Sequence, residues 1–239
     1  MLRLNSNEEN LIEAAEDGDY ANVLDCINKG ANLNCKNDLG MTALHYAAKE
    51  GHEKIVKLLL DMGAKIDEKN DKGWTALHFG ALWGEEDVMR LLLENGANIN
   101  DQNGDGDTAL HLAARDGNET ALKYLLEKNP RVYVKNVHKN TVLHLAAETG
   151  KENIVKYLLV KVTNVDDKNN NGWTALHCAA ANGNADVVNL LLANGAKADE
   201  RNNNGETPLD LAHSYGKSAV EKILEIASLK PSKPLQSQD

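Results

Sequence analysis

Thr42-Ala43-Leu44-His45 returns as Thr75-Ala76-Leu77-His78, Thr108-Ala109-Leu110-His111, Thr141-Val142-Leu143-His144 and Thr174-Ala175-Leu176-His177. Thr207-Pro208-Leu209-Asp210 falls on the same beat, and every step is 33 residues. A second comb keeps the same period: Gly18, Gly51, Gly84, Gly117, Gly150, Gly183 and Gly216. Two combs in phase along most of a chain mean a stack of like units. Each unit then buries its apolar face only against its neighbours. That makes binding, rather than catalysis, the default expectation.

Within one unit the residues spell two helices. Thr42 suits a helix N-cap, where its hydroxyl can accept from a backbone N–H of the first turn. Leu44, Ala47 and Ala48 follow at helical spacing, and Gly51 suits the left-handed residue that ends a helix. Ile55, Val56, Leu58, Leu59 and Leu60 form a second, more apolar helix, stopped by Gly63-Ala64. Ile66 and Asp67 lead into a finger at Asn70-Asp71-Lys72-Gly73. Alanine lets the first helices approach closely and leucine holds the second helices apart. The stack is therefore expected to curve with the first helices inside.

This pattern resembles the ankyrin repeat in period and in its T-P-L-H-x-A core. The resemblance runs from about Glu8 to about Ala227. It implies an all-α solenoid of helix–turn–helix units joined by β-hairpin fingers, with a concave face that binds other proteins. On this reading residues 1–229 form one ankyrin-repeat domain. Its N-capping repeat spans about 5–36, inner repeats follow at 37–69, 70–102, 103–135, 136–168 and 169–201, and a C-capping repeat spans about 202–229. Residues 230–239, with two prolines and two serines, read as a disordered tail. The first unit lacks the Thr-x-Leu-His signal, and its Ser6-x-x-Glu9 reads as a capping box. The last carries Asp210 in place of His and adds Lys217, Glu221 and Lys222, the polar outer face a terminal repeat needs.

Net charge is −10 and the pI about 5.3. Nucleic acid binders need a basic face, so no nucleic acid partner is expected, and an anionic membrane surface is disfavoured for the same reason. No apolar run approaches the ~20 residues of a membrane-spanning helix. Met1-Leu2-Arg3-Leu4-Asn5 is too short and polar for a secretory signal. Cys26, Cys35 and Cys178 are odd in number and form no C-x-x-C pair, as expected of free thiols in a reducing cytosol. A cytoplasmic monomer without cofactors is the expectation, and the sequon at Asn118-Glu119-Thr120 is expected to be idle.

Five histidines on the repeat could suggest a metal array. Zinc needs ligands converging to about 2 Å, whereas packed helices stand ~8–10 Å apart. Each imidazole is expected instead to bond its local threonine and backbone groups, tying one repeat to the next. Asp101-x-Asn103-x-Asp105-Gly106 and Asp167-x-Asn169-x-Asn171-Gly172 match half of a calcium-loop pattern. The twelfth positions are Leu112 and Cys178 instead of the required Glu, so both read as turns. Calcium-responsive binding through these fingers stays as an alternative of a different class. No nucleophile–base–orienter set stands out, and no enzyme activity is expected.

Recognition is expected where repeats differ. In the ankyrin architecture the free concave positions lie at the finger tip, one residue before the Thr, and seven and eight after it. All three tryptophans fall there: Trp74 and Trp173 before the Thr, Trp83 eight after. Trp74, Leu82 and Trp83 share one repeat, with Met41 next door; exposed apolar residues mark interaction sites, and Trp leads the hot-spot residues. Asp105, Asp107, Arg115 and Asp116 add a charged stretch, and Lys49, Lys72, His138 and Trp173 complete the expected partner-binding set. Trp74 and Trp173 could equally lie across a neighbouring finger and stiffen it. Asn37, Asn70, Asn103, Asn136, Asn169 and Asn202 form a register expected to be structural.

Two junctions depart from the pattern: Gly-Ala becomes Asn129-Pro130, then Val162-Thr163, and a finger Gly becomes Lys139. Arg131, Tyr133, Lys135 and His138 make the loop between them basic, either a second contact for an acidic partner or drift at a tolerant surface. The main expectation is a protein-binding adaptor, inhibitor or assembly factor whose partner is unidentified. Its plan is similar to the seven-repeat ankyrin chaperones of proteasome ATPase assembly. The Asn- and Lys-rich composition also fits a secreted effector of an intracellular microbe acting on a host protein in the host cytosol.

Overall fold

The computed structural model describes residues 4–229, so the tail expected at 230–239 lies outside the described residues. Two compact units divide the chain between Val137 and His138. The first holds α1 (Ser6–Asp17), α2 (Tyr20–Asn28), α3 (Ala43–Lys49), α4 (Glu53–Asp61), α5 (Ala76–Trp83), α6 (Glu86–Glu94), α7 (Ala109–Asp116) and α8 (Glu119–Glu127). The second holds α9 (Val142–Thr149), α10 (Glu152–Leu159), α11 (Ala175–Asn182), α12 (Ala185–Ala193), α13 (Pro208–Ser214) and α14 (Ser218–Ser228).

In each unit the odd-numbered helices pack in one row and the even-numbered helices in another, and each pair packs internally. The first helices carry Ala47, Ala48, Ala81, Ala113 and Ala114, all fully buried. Leu59, Leu92 and Leu125, one per repeat, fill the space beneath the second helices. Burying such a leucine contributes about 1.5–3 kcal/mol. The N-terminal cap corrects the expectation at Ser6. Asn5 is the N-cap: its Oδ1 accepts from the N–H of Asn7 and Glu8, and the Glu8 carboxylate accepts from Asn5 N–H. Starting the box one residue earlier lengthens α1 by one residue with an equally good Asn–Glu pair.

The fingers depart from the expected β-hairpins. Among the described residues there is no strand, and the fingers are loops. In the first unit Asn70 N–H donates to Trp74 carbonyl at 2.9 Å and Gly104 N–H to Lys72 carbonyl of the preceding finger at 2.8 Å. Asp71 to Leu39 (3.2 Å) and Val137 to Asp105 (2.9 Å) continue that stitching. One backbone bond from finger to finger is too little to build a strand ladder. The asparagines do the rest: Asn70 Oδ1 accepts from Lys72 and Trp74 N–H, and Asn37 and Asn103 accept in the same way. Asn169 and Asn202 repeat this in the second unit.

The irregular junctions resolve differently. Lys139 keeps the left-handed geometry of the finger glycines, with φ 58°, and Asn129 keeps that of the helix-stop glycine, with φ 52°. The Val162 junction rearranges instead. Its helix, α10, ends at Leu159, and the N–H groups of Lys161 and Val162 both turn back to Leu158 carbonyl at 2.9 Å. A β-branched residue strongly resists positive φ, whereas Asn tolerates it.

Candidate protein-interaction site

The Thr–His pairs form the frame of the site. Thr42 N–H donates to His45 Nδ1 at 3.0 Å, and the Thr42 hydroxyl lies 2.8 Å from the same nitrogen. His45 Nε2 lies 2.9 Å from Trp74 carbonyl, in the next repeat. A carbonyl only accepts, so Nε2 carries the hydrogen and the ring is neutral. His78 bridges to Asp107 and Asp101 carbonyls at 3.1 Å, and in the second unit His144 reaches Trp173 and His177 reaches Glu206. Burial pushes His78 down to about 4, against the opposing pull of the two carbonyls. His45 and His177 are lowered by the same cause. These four imidazoles, His45, His78, His144 and His177, thus tie one repeat to the next, as expected from their spacing.

On this frame sits an aromatic corner. Trp74 packs against Phe79 at 5.0 Å between ring centroids and against His78 at 6.1 Å. Phe79 in turn meets His45 edge-on at 5.9 Å. Trp83 follows Phe79 by one helical turn, on the last residue of α5, and stands 58% exposed; Leu82 beside it is half-buried. Lys49 is half-buried, whereas Lys72, Asp105, Arg115 and Asp116 are exposed.

Two residues of the expected contact set are corrected. Met41 is 5% exposed and Asp107 is 1% exposed, so neither presents its side chain to solvent. Asn70 Nδ2 donates to Met41 Sδ. Asp107 accepts from Asn136 Nδ2 at 2.9 Å and from Arg115 Nη1 at 2.9 Å. The position before the Thr is turned against the next finger's asparagine, which claims whatever acceptor it carries. Trp74 carries none. Accordingly Asn103 Nδ2, 29 residues on, is buried without a hydrogen-bond partner, a state that typically costs ~1–3 kcal/mol.

A feature the sequence reading missed lies just after the glycine comb. His52 Nε2 bonds Glu16 carbonyl at 2.9 Å, and Asn184 Nδ2 donates to Ala147 and Glu148 carbonyls. These side chains sit over the preceding repeat's helix-ending glycine and offer donors to the last carbonyls of its first helix. The Asn118 side chain also lies over Gly84. Over Gly51 the residue is Glu85, a carboxylate with no hydrogen to give. The signal was available: in the series His52, Glu85, Asn118, Lys151, Asn184 and Lys217, Glu85 is the one acid.

A family model for ankyrin repeats in three copies matches residues 11–103, 96–169 and 161–232. The chain belongs to the ankyrin-repeat family. The crystal structure of the human ASB11 ankyrin repeat domain is similar, with a TM-score of 0.83 at 30% identity, covering 93% of this chain and 99% of that one. The ankyrin repeat domain of Bcl-3, a member of the IkappaB protein family, matches with a TM-score of 0.77 at 28% identity, covering 90% and 97%. No curated protein matches the sequence. Ankyrin repeat domains are, in general, protein–protein interaction modules, and the two combs are thereby ankyrin framework positions.

The second unit carries the remaining expected residues on its own ankyrin repeats. Trp173 is half-buried and stacks on His177, with centroids 6.5 Å apart and 27° between planes. His138 is exposed at a finger tip, where its carbonyl accepts from Asn170 N–H. In the first unit's basic loop Tyr133 is 70% exposed and Arg131 N–H donates to Asn100 Oδ1. The calcium-like finger has its acceptors engaged: Asp101 Oδ1 takes Asn98 Nδ2, and Asn103 Oδ1 takes two backbone N–H groups. Among the described residues no three His, Cys, Asp or Glu side chains converge as metal ligands would.

Proposed function

We propose that this ankyrin-repeat chain is a non-enzymatic interaction module of the cytosol. It binds a protein partner on the face formed by the finger tips and the last turns of the first helices, concave in the ankyrin architecture. The observation that carries this reading is Trp83, which stands 58% exposed at the end of α5 beside the Trp74–Phe79 pair. A large rigid aromatic in water next to a packed aromatic base is the kind of anchor that dominates interfaces. Trp74 supports it, since its place costs Asn103 a hydrogen-bond partner. Lys49, Lys72, Leu82, Asp105, Arg115 and Asp116 surround the anchor, and Met41 and Asp107 support it from below. The role that follows is an adaptor, inhibitor or assembly factor, acting as a monomer with residues 1–229 as one domain.

The test is affinity capture from a lysate of the source cells with wild type and Trp83→Ala. An exposed substitution changes stability by about 0.5 kcal/mol or less, whereas truncating a buried Trp costs about 3–5 kcal/mol. Trp83→Ala should therefore melt with the wild type yet lose its captured proteins. An unchanged captured set, or a melting loss of the buried size, would overturn the proposal.

A further inference from the structure

Glu50, Trp83 and Asp116 occupy one position in three successive repeats. Their turns are neighbours: the Glu85 side chain lies over Gly51, and the Asn118 side chain over Gly84. An exposed indole therefore stands in a row between the turns of Glu50 and Asp116, with a third carboxylate, Glu85, two residues beyond it. The cations of this corner are already engaged. Lys49 pairs with Glu50, Arg115 with the buried Asp107, and Arg90 with Glu86 and Asp87. Among the described residues no cation pairs with Glu85 or Asp116.

Resting on the function proposed above, we infer that the partner segment seated on Trp83 is basic, with a lysine or arginine side chain lying on the indole between Glu85 and Asp116. Tryptophan is the best aromatic face for a cation, and a desolvated contact of this kind gains further from carboxylates beside it. Glu85 strengthens the case. Its counterparts place hydrogen-bond donors against a helix C-terminus, whose dipole disfavours an anion. A carboxylate set over the end of α3 beside the exposed anchor, where its counterparts His52 and Asn184 carry donors, is what a functional corner looks like, since sequences break local rules chiefly at sites of use. The net charge of −10 acts in the same direction, drawing basic segments toward the surface and repelling acidic ones.

The experiment titrates the full chain with tetra-arginine amide and with tetra-glutamate, following the three indole N–H signals by NMR. Tetra-arginine is expected to shift the Trp83 signal most. Its affinity should fall at least tenfold in Trp83→Ala and severalfold in the double variant Glu85→Gln/Asp116→Asn. Asp61→Asn, on the second-helix side, should leave it unchanged. Equal weakening by Asp61→Asn, or none in the double variant, would reduce the effect to general attraction by an acidic protein and overturn the inference. So would a Trp83 response to tetra-glutamate. Proteins captured from the lysate separate the two readings. Capture that needs Trp83 but survives in the double variant overturns the basic segment alone. Capture that does not need Trp83 overturns the interaction face itself.

Discussion

His78 shows how a single residue ties the repeat to solution conditions. Its ring is neutral because Nε2 must donate to two carbonyls while Nδ1 accepts from Thr75. Burial holds it near 4, whereas in the unfolded chain an imidazole titrates near 6.5. Between those values the unfolded chain binds more protons than the folded one, so stability falls as the pH drops through this window. His45 and His177 shift in the same direction for the same reason. The carboxylates held low by hydrogen bonds, Glu68, Glu200 and Asp210, lose their contribution only below their ordinary values of 4.5 and 3.8. The interval from 6.5 to about 4.5 therefore belongs to the histidines. The expected outcome is an unfolding free energy, read from urea titrations, that declines over that interval by a few kcal/mol in total, with His78 alone worth on the order of 3 kcal/mol once pH reaches its folded value. His78→Gln should start less stable at pH 7 and decline less. A midpoint that is flat from pH 7 to 5 would show that the rings are charged or solvated.

At the scale of one element, the sequence comb was sufficient for the helices. N-cap threonine, buried alanine, stop glycine and apolar second helix are local instructions, and each is obeyed where it was read. Apart from the capping box of α1, which starts one residue earlier than read, the failures have a common cause: they depend on a neighbour 29 to 37 residues away. The fingers lack strands because only one backbone bond joins each tip to the preceding one, as at Gly104 and Lys72. Met41 and Asp107 are buried because the next finger's asparagine reaches back to them. Glu85 stood outside the expected set because its significance lies in the glycine it covers, one repeat earlier. That position makes a clear case for substitution. Asn118, its counterpart in the next repeat, also caps its own helix by accepting from Ala121 N–H, whereas Glu85 makes no side-chain cap bond. Glu85→Asn is thus expected to remove an anion from the end of α3 and cap α6 as well. Together these are worth about 1 kcal/mol, or roughly 2–4 °C in Tm for a chain of this size. A fall in Tm would mean that the carboxylate is satisfied where it lies.

Across the whole molecule the repeats share a plan but not a quality of closure. Regular junctions end a second helix by turning the Ala N–H back onto it, as Ala64 does to Leu59 and Ala97 to Leu92, both near 3.0 Å. Pro130 has no N–H to give, and at Val162 the turn is rebuilt one residue early. Lys139 holds left-handed geometry without being glycine, which carries about 1–2 kcal/mol of strain. The division between the two compact units falls between Val137 and His138, inside this same stretch. In a repeat array stability is a sum of unit and interface contributions, so weak closures lower it locally rather than everywhere. Native-state hydrogen exchange is therefore expected to show lower protection in α8 and α9 than in α3 to α6, with the frayed ends of the array left out of the comparison. Lys139→Gly gives the control. It relieves the strained finger, and should stabilise by about 1 kcal/mol after the extra chain entropy of glycine is counted, raising protection in α9 while leaving α3 and α4 unchanged. Uniform protection across the inner helices, or no gain from Lys139→Gly, would mean that these closures are compensated and that the array opens as one body.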